Sequence, residues 1–292
     1  MSCQNPAKHR KAFLEITNIC NLSCTFCPKT TRPPQMLTES EFHILANKLK
    51  PFAEYLYFHL MGEPTAHPLL PHFLQAANQM GFRTMLTTNG TLLSPCGDAL
   101  LVDRAAPYKV SISLHAFEAN DIALSFHDYL AGCIHFAKNA AAHGTITALR
   151  LWNLDGRTSG ALHEKNDMIL SFLHDAFPGV WQENRSGYKL SDHIFLEWGE
   201  KFDWPNLQAK EYAETGFCYA LRDQIGVLSD GTVVPCCLDR NGDLALGNLF
   251  CEDLNTILAS PRARRIYDGF SSHICAEALC RRCMRAGYYR AK

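Results

Sequence analysis

Three cysteines fall within eight residues near the N-terminus, in the run Cys20-Asn21-Leu22-Ser23-Cys24-Thr25-Phe26-Cys27. Thiolates this close on one segment can bind one metal centre together. A helix would set Cys20, Cys24 and Cys27 along one face, but Pro28 follows at once, so the run reads as a loop wrapped around a ligand. An iron–sulfur cube normally takes four thiolates. Three leave one iron without a protein ligand, and an open coordination position separates a catalytic metal site from a closed structural one. For the triplet alone, a zinc site or inert buried cysteines is the plainer alternative.

A second cysteine group lies at the other end of the chain. Cys218 is followed by Gln224–Leu228, then Ser229-Asp230-Gly231, then Thr232-Val233-Val234-Pro235-Cys236. Asp-Gly between two β-rich runs is a strong hairpin signal, and a hairpin here brings Cys236 back toward Cys218. The closing Cys280-Arg281-Arg282-Cys283 is a C-x-x-C pair, which puts two thiolates on one metal. Cys218, Cys236, Cys280 and Cys283 together make a closed four-thiolate site, with Cys237 and Cys275 as rival ligands beside them. Zinc and a [4Fe–4S] cluster both satisfy four thiolates. From residue 262 to 292 there are eight Lys/Arg against two Asp/Glu, which fits compensation of an anionic centre, a phosphate or carboxylate site, or a solvated helix face at Arg262, Arg264 and Arg265.

The elements that must position these groups alternate. Phe13–Thr17 reads as a strand, and Thr38-Glu39-Ser40-Glu41 as a capping box opening a helix through about Leu49. Tyr55–Leu60, Arg83–Thr87, Lys109–Leu114, Ile146–Trp152 and Ile194–Trp198 read as further strands. Helices are expected over Leu69–Met80 with Gly81 as C-cap, after Ser94-Pro95 as N-cap and first-turn proline, over Tyr129–Ala142 and over Leu162–Phe177. The segments Trp152–Leu162 and Trp181–Asp192 read as loops shaping the mouth, and two short helices follow Leu246–Leu249, the second opened by Ser260-Pro261. Repetition of β-α over this span argues for parallel strands with helices outside. A complete eight-fold barrel needs about 250 residues, so an open, curved (β/α)6 partial barrel fits. Chemistry in such sheets collects at the carboxyl ends of the strands, and the cysteine loop, Gly62-Glu63-Pro64 and Thr88-Asn89-Gly90 all leave strands at that rim. His59, His115 and Glu15 fall near it too, and read as packed, hydrogen-bonded side chains or proton carriers. Cys3, Cys96, Cys133 and Cys251 are isolated small hydrophobes or surface thiols.

Length and composition narrow the setting. The 292 residues are 47% hydrophobic, enough for one large core with a small appendage. A net charge of −1 creates no field for nucleic acid or an anionic membrane. No stretch approaches the ~20 apolar residues of a membrane span, and no apolar signal run follows Met1. Thirteen cysteines, an odd number grouped at short spacings, fit metal-bound thiols in a reducing cytoplasm.

C-x3-C-x2-C with an aromatic residue before the last cysteine, Phe26, resembles the cluster loop of the radical S-adenosylmethionine (SAM) enzymes. The resemblance implies a partial (β/α)6 radical SAM barrel over residues 1–205, with SAM chelating the open iron. It also implies reductive cleavage of SAM to a 5′-deoxyadenosyl radical that takes hydrogen from the substrate. Gly62-Glu63-Pro64 resembles the family's Gly-Glu-Pro element, with Met61 in place of a first glycine. Thr88, Asn89, Ser113 and Asn153 at later strand ends, and Arg150 within the fifth strand, are then candidates for the SAM ribose and carboxylate. The C-terminal pattern resembles the SPASM auxiliary-cluster module in its shortened "twitch" form, as in 2-deoxy-scyllo-inosamine dehydrogenase-like enzymes. That implies a small α+β domain over residues 206–292 with one auxiliary [4Fe–4S] cluster, two clusters in all. The reaction expected is a net oxidation of a small molecule, with an electron donor such as flavodoxin or ferredoxin. A peptide maturase keeps the chemistry and changes the substrate; the short segment before strand one speaks against a leader-recognition domain. A non-catalytic metal-binding or electron-transfer protein explains the second cysteine group but not the three-ligand loop.

Overall fold

The computed structural model describes residues 10–102, 104–117, 123–154, 164–200 and 202–288, and of residues 152–154, 164–165, 200 and 287–288 the backbone only. Among the described residues eleven strands form one sheet: β1 Lys11–Leu14, β2 Tyr55–Tyr57, β3 Arg83–Thr88, β4 Lys109–Ser113, β5 Ile146–Leu154, β6 Gln182–Asn184, β7 Gly187–Ser191, β8 Ile194–Glu200, β9 Gln224–Val227, β10 Thr232–Val234 and β11 Gly247–Asn248. The helices are α1 Glu39–Leu49, α2 Leu70–Gln79, α3 Leu93–Cys96, α4 Phe126–Ala142, α5 Glu164–Ala176, α6 Leu254–Leu258, α7 Pro261–Ser271, α8 Ala278–Arg281 and α9 Met284–Tyr288.

Strand order is β11-β10-β9-β1-β2-β3-β4-β5-β8-β7-β6. The strands β1, β2, β3, β4, β5 and β8 are parallel, which is the expected six-fold β/α array left open. Hairpins extend it at both edges. At one, β7 runs antiparallel to β8 and β6 antiparallel to β7, where Trp181–Asp192 had read as loop. At the other, β9 pairs parallel with β1, β10 runs antiparallel to β9 and β11 antiparallel to β10. The C-terminal cysteine segment is therefore built directly onto the first barrel strand.

Period-two alternation divides the sheet faces. Ala12, Leu14, Leu56, Leu86, Val110, Ile112, Leu149 and Leu196 face the helices in one core. Against them α1 lays Phe42, Leu45, Ala46 and Leu49, and α2 lays Leu70, Phe73, Leu74 and Ala77, with Phe42 stacked on Phe73 at 4.3 Å. Helix α1 opens on the expected capping box of Thr38 and Glu41. Between β3 and β4 the outer layer is thin. Ser94 and Pro95 lie inside the single-turn α3, whose N-cap is Leu92, so the expected capping role falls away. The other sheet face carries half-buried polar side chains: Lys109 and Ser111 on β4, Arg150 on β5 and Glu197 on β8.

Candidate active site

The chain leaves β1 into a long loop closed at its neck. Thr17 bridges Met36, the Leu37 N–H donates to the Ile16 carbonyl at 2.9 Å, and the Asn18 amide spans Pro33 and Gln35. Beyond this neck Cys20, Cys24 and Cys27 occupy a non-helical segment, as Pro28 demands, with the Cys27 N–H turned back on the Cys24 carbonyl at 3.0 Å. All three line one cavity of about 350 Å³, walled also by Met61, Gly62 and Trp204. Cys20 is exposed as a residue, but desolvation of its sulfur pushes the thiol up to about 11. The Leu22 N–H opposes this, while Glu63, Cys24 and Cys27 add to it. Such thiols ionise when a cationic centre binds them, and metal loading then expels protons.

The donor set decides what fits. Among the described residues no group of three His, Cys, Asp or Glu converges tightly enough to hold a single metal ion. A multi-iron cluster binds each thiolate at a separate iron, and three thiols lining one cavity fit that donor set.

Gly62-Glu63-Pro64 stands directly behind this loop. Gly62 has φ +77°, and a Cβ there would lie 2.4 Å from the Thr17 carbonyl oxygen. The Glu63 N–H donates to the Ile19 carbonyl at 2.9 Å. The Glu63 carboxylate is buried and accepts from the Thr65 N–H (3.0 Å), the Thr65 hydroxyl (2.7 Å) and the Asn89 N–H (2.7 Å). Burial raises its pKa, against these bonds. Pro64 begins a 3₁₀ turn capped by Glu63.

The remaining SAM candidates divide. Thr88 is buried and accepts from the Gly90 N–H at 3.0 Å. The Asn89 side chain joins Asn21 of the cysteine loop (2.9 Å) to Thr91 (2.7 Å), so both ends of its amide position the loop. Ser113 ends β4 with its carbonyl 3.5 Å from the Tyr129 hydroxyl. Arg150 is half-buried on β5 and pairs with Glu197 at 3.7 Å, while Lys109 reaches the same carboxylate at 2.7 Å. The Asn153 side chain lies outside the described residues. Phe26 packs on His115 at 5.3 Å and lines a second cavity of about 310 Å³ with Phe202, Asp203, Trp204 and Arg240. His59 and His115 are held near a pKa of about 4, by burial first and by the nearby Arg150 charge; the His115 bond to the Arg150 carbonyl pulls the other way.

Sequence reasoning passed over Trp204, which walls both cavities. It also passed over the Lys109–Glu197–Arg150 network, although three charged residues at inward positions of adjacent strands were visible in the alternation.

The C-terminal cysteines assemble through the β9–β10 hairpin. Its turn, with Gly231 at φ +82°, returns the chain as Asp-Gly required. Cys218, Cys236, Cys280 and Cys283 all sit partly buried against the main core. Cys275 lies inside that core, and Cys237 turns instead toward the small cluster of Phe13, Leu60, Leu228 and Val234. Burial lifts Cys218 to about 11 and Cys236 and Cys280 well above the ordinary thiol range; neighbouring thiols add to it, Cys237 ahead of Cys218 at Cys236, and Cys218, Cys283 and Cys275 at Cys280. The nearby cations are ordered on carboxylates. Arg262 and Arg265 hold Glu277 at 2.9 and 2.7 Å, and Arg281 and Arg282 hold Glu211 at 3.1 and 2.8 Å. Burial raises the Glu277 carboxyl, but the two guanidinium bonds outweigh it and leave it below its ordinary value.

Known proteins share these features. The Radical SAM superfamily model matches residues 14–144, and the SPASM iron–sulfur cluster-binding domain matches residues 218–284. A Pyrococcus furiosus protein described as a tungsten-containing aldehyde ferredoxin oxidoreductase cofactor-modifying protein is 36% identical over 86 residues. That stretch covers 28% of this chain and 24% of the relative, so the match spans about a quarter of that protein. The crystal structure of BtrN with AdoMet and 2-DOIA superposes with TM-score 0.59 at 15% identity, covering 96% of this chain and 94% of BtrN. The structure of anSMEcpe with AdoMet gives 0.60 at 14% identity over 94% and 86% of the two chains. Streptococcus suis SuiB bound to precursor peptide SuiA gives 0.58 at 13% identity over 93% and 71%. These structural likenesses establish the shared fold.

Proposed function

We propose, for a chain that belongs to the radical SAM superfamily and carries a SPASM iron–sulfur cluster-binding domain, that it catalyses a net two-electron oxidation initiated by hydrogen abstraction. The family's cofactors are a [4Fe–4S] cluster and SAM, with additional iron–sulfur at the SPASM domain. When bound, they supply an electron to SAM and a 5′-deoxyadenosyl radical to the substrate. In this reading Cys20, Cys24 and Cys27 hold the catalytic cluster. Phe26, Gly62, Glu63, Pro64, Thr88, Asn89, Ser113, Arg150 and Asn153 shape the SAM site, several of them by fixing the loop. Cys218, Cys236, Cys280 and Cys283 hold one auxiliary cluster that accepts the leftover electron. Residues 1–205 form the barrel and 206–292 the auxiliary module.

The single observation that carries this is the contrast between two thiol sets on one sheet. Among the described residues three cysteines line an open cavity without a fourth, whereas Cys218, Cys236, Cys280 and Cys283 pack against one core, with Cys275 inside that core and Cys237 against a small neighbouring cluster. The first set leaves room for a substrate-binding iron; the second closes its centre. A flavodoxin- or ferredoxin-like donor supplies the reducing electron. Among the described residues no helix is long and apolar enough to cross a membrane.

The test needs no substrate. A Cys20→Ala/Cys24→Ala/Cys27→Ala variant, reconstituted anaerobically, is expected to retain about four irons per chain in a site without SAM response. Zinc, or no iron at all, in that variant overturns the auxiliary assignment.

A peptide substrate is the second reading. It is favoured by the fold shared with SuiB, solved with its precursor peptide. Incubation of the reconstituted enzyme with peptides and with polyol or amino-sugar libraries, followed by a search for products two mass units lighter, separates the two.

A further inference from the structure

Glu15 follows β1 and is fully buried. Its carboxylate gathers donors from three distant segments. Arg32 reaches both oxygens at 2.7 Å from the returning limb of the cysteine loop. The Met61 N–H, beside the Gly-Glu-Pro corner, donates to Oε2 at 3.1 Å. The Ser229 N–H and hydroxyl, on the C-terminal hairpin, donate to Oε1 at 3.2 and 3.0 Å. The same limb makes further bonds to the C-terminal segment. Arg32 Nε donates to the Arg240 carbonyl at 2.9 Å, Thr30 Oγ1 meets Asn241 Oδ1 at 3.0 Å, and Gln35 Nε2 donates to the Ser229 carbonyl at 3.0 Å.

A carboxylate and guanidinium this deeply placed gain little net stability over well-packed apolar residues, because both must be stripped of water. What the pair does provide is fixed direction: one terminal nitrogen of a planar guanidinium spans both carboxylate oxygens while its Nε holds the Arg240 carbonyl, and backbone and hydroxyl donors take up the rest of the carboxylate. We infer that Glu15 is a positioning residue through which the C-terminal module sets the geometry of the cysteine loop. The SPASM segment then acts on the radical-forming site mechanically, through Ser229 and Arg240, in addition to holding its own cluster. This inference rests on the proposed function for the identity of the loop, but the linkage itself belongs to the bare chain.

Glu15→Gln preserves shape and removes the charge that Arg32 requires. In the metal-free chain, hydrogen exchange is expected to quicken roughly tenfold or more at amides of residues 18–36 and 229–241, with β3, β4 and α4 unchanged, since opening is confined to the segments the carboxylate joins. Ser229→Ala, a milder change, is expected to move the same amides less. In reconstituted protein, Glu15→Gln is expected to keep its iron, raise KM for SAM more than it lowers kcat for SAM cleavage, and blunt the SAM-induced change in the cluster's EPR spectrum. Glu15→Asp, which keeps the charge, is expected to recover part of each. Unchanged exchange at 18–36 in Ser229→Ala, or equal acceleration throughout the sheet in both variants, overturns the inference. Loss of SAM cleavage in the wild-type chain would sink the proposed function while leaving the exchange result standing.

Discussion

Gly62 and Thr17 approach each other so closely that a Cβ on the glycine would lie 2.4 Å from the threonine carbonyl oxygen. The loop neck and the Gly-Glu-Pro corner are thus packed backbone to backbone, and only glycine fits between them. Gly62 also sits at φ +77°, where a side chain costs about 1–2 kcal/mol even in open space. Gly62→Ala is therefore expected to destabilise by roughly 2 kcal/mol or more once the clash is added to the backbone strain. Denaturant titration of the bare chain reads this, and iron loading at the cysteine loop is expected to fall with it. A variant as stable as wild type with normal loading would show that the two backbones part freely.

Trp204 walls both cavities beside the cysteine loop. Replacing it with alanine removes apolar surface from both without touching a thiol. Affinity for SAM or substrate is expected to weaken by about tenfold or more, the equivalent of a partly buried aromatic side chain, with iron content unchanged. Calorimetric titration of SAM into the reconstituted variant checks this. Unaltered affinity for both ligands would remove Trp204 from the site.

His59 packs edge-on against Phe13 and Tyr57, with its Nδ1 buried and no hydrogen-bond partner among the described residues. Burial first, and the Arg150 charge second, lower its pKa to about 4, and His115 is lowered to the same region. The folded chain keeps these rings neutral while the unfolded chain takes up protons below about 6.5. Their contribution to stability is therefore full above pH 6.5 and is lost as the pH falls from 6.5 toward 4. His59→Phe is expected to flatten this limb in denaturant titrations of the metal-free chain, leaving the part due to His115. An identical slope in variant and wild type would mean that His59 is protonated in the fold.

Legibility in the sequence followed the range of the interactions. The cysteine loop, the Thr38 capping box and the Asp230-Gly231 turn are local, and their residue types carry the instruction within a few positions. The pairing of β9 with β1 joins segments about two hundred residues apart, and nothing in either strand names its neighbour. The β6–β7 hairpin escaped because Gln182–Asn184 is polar throughout and shows no alternation. Asn89 offers both donor and acceptor at a strand end, but its bonds to Asn21 and Thr91, which tie it to the cysteine loop, were not legible in strand order. Glu15 was visible only as an acidic residue in an apolar strand, and its four donor atoms come from segments that sequence order does not bring together.

The most direct measurement is iron content and SAM cleavage on one anaerobically reconstituted sample. The account predicts about eight irons per chain, as two four-iron clusters require, and 5′-deoxyadenosine formed on reduction in the presence of SAM. Protein that carries full iron yet leaves SAM intact under reduction would contradict it.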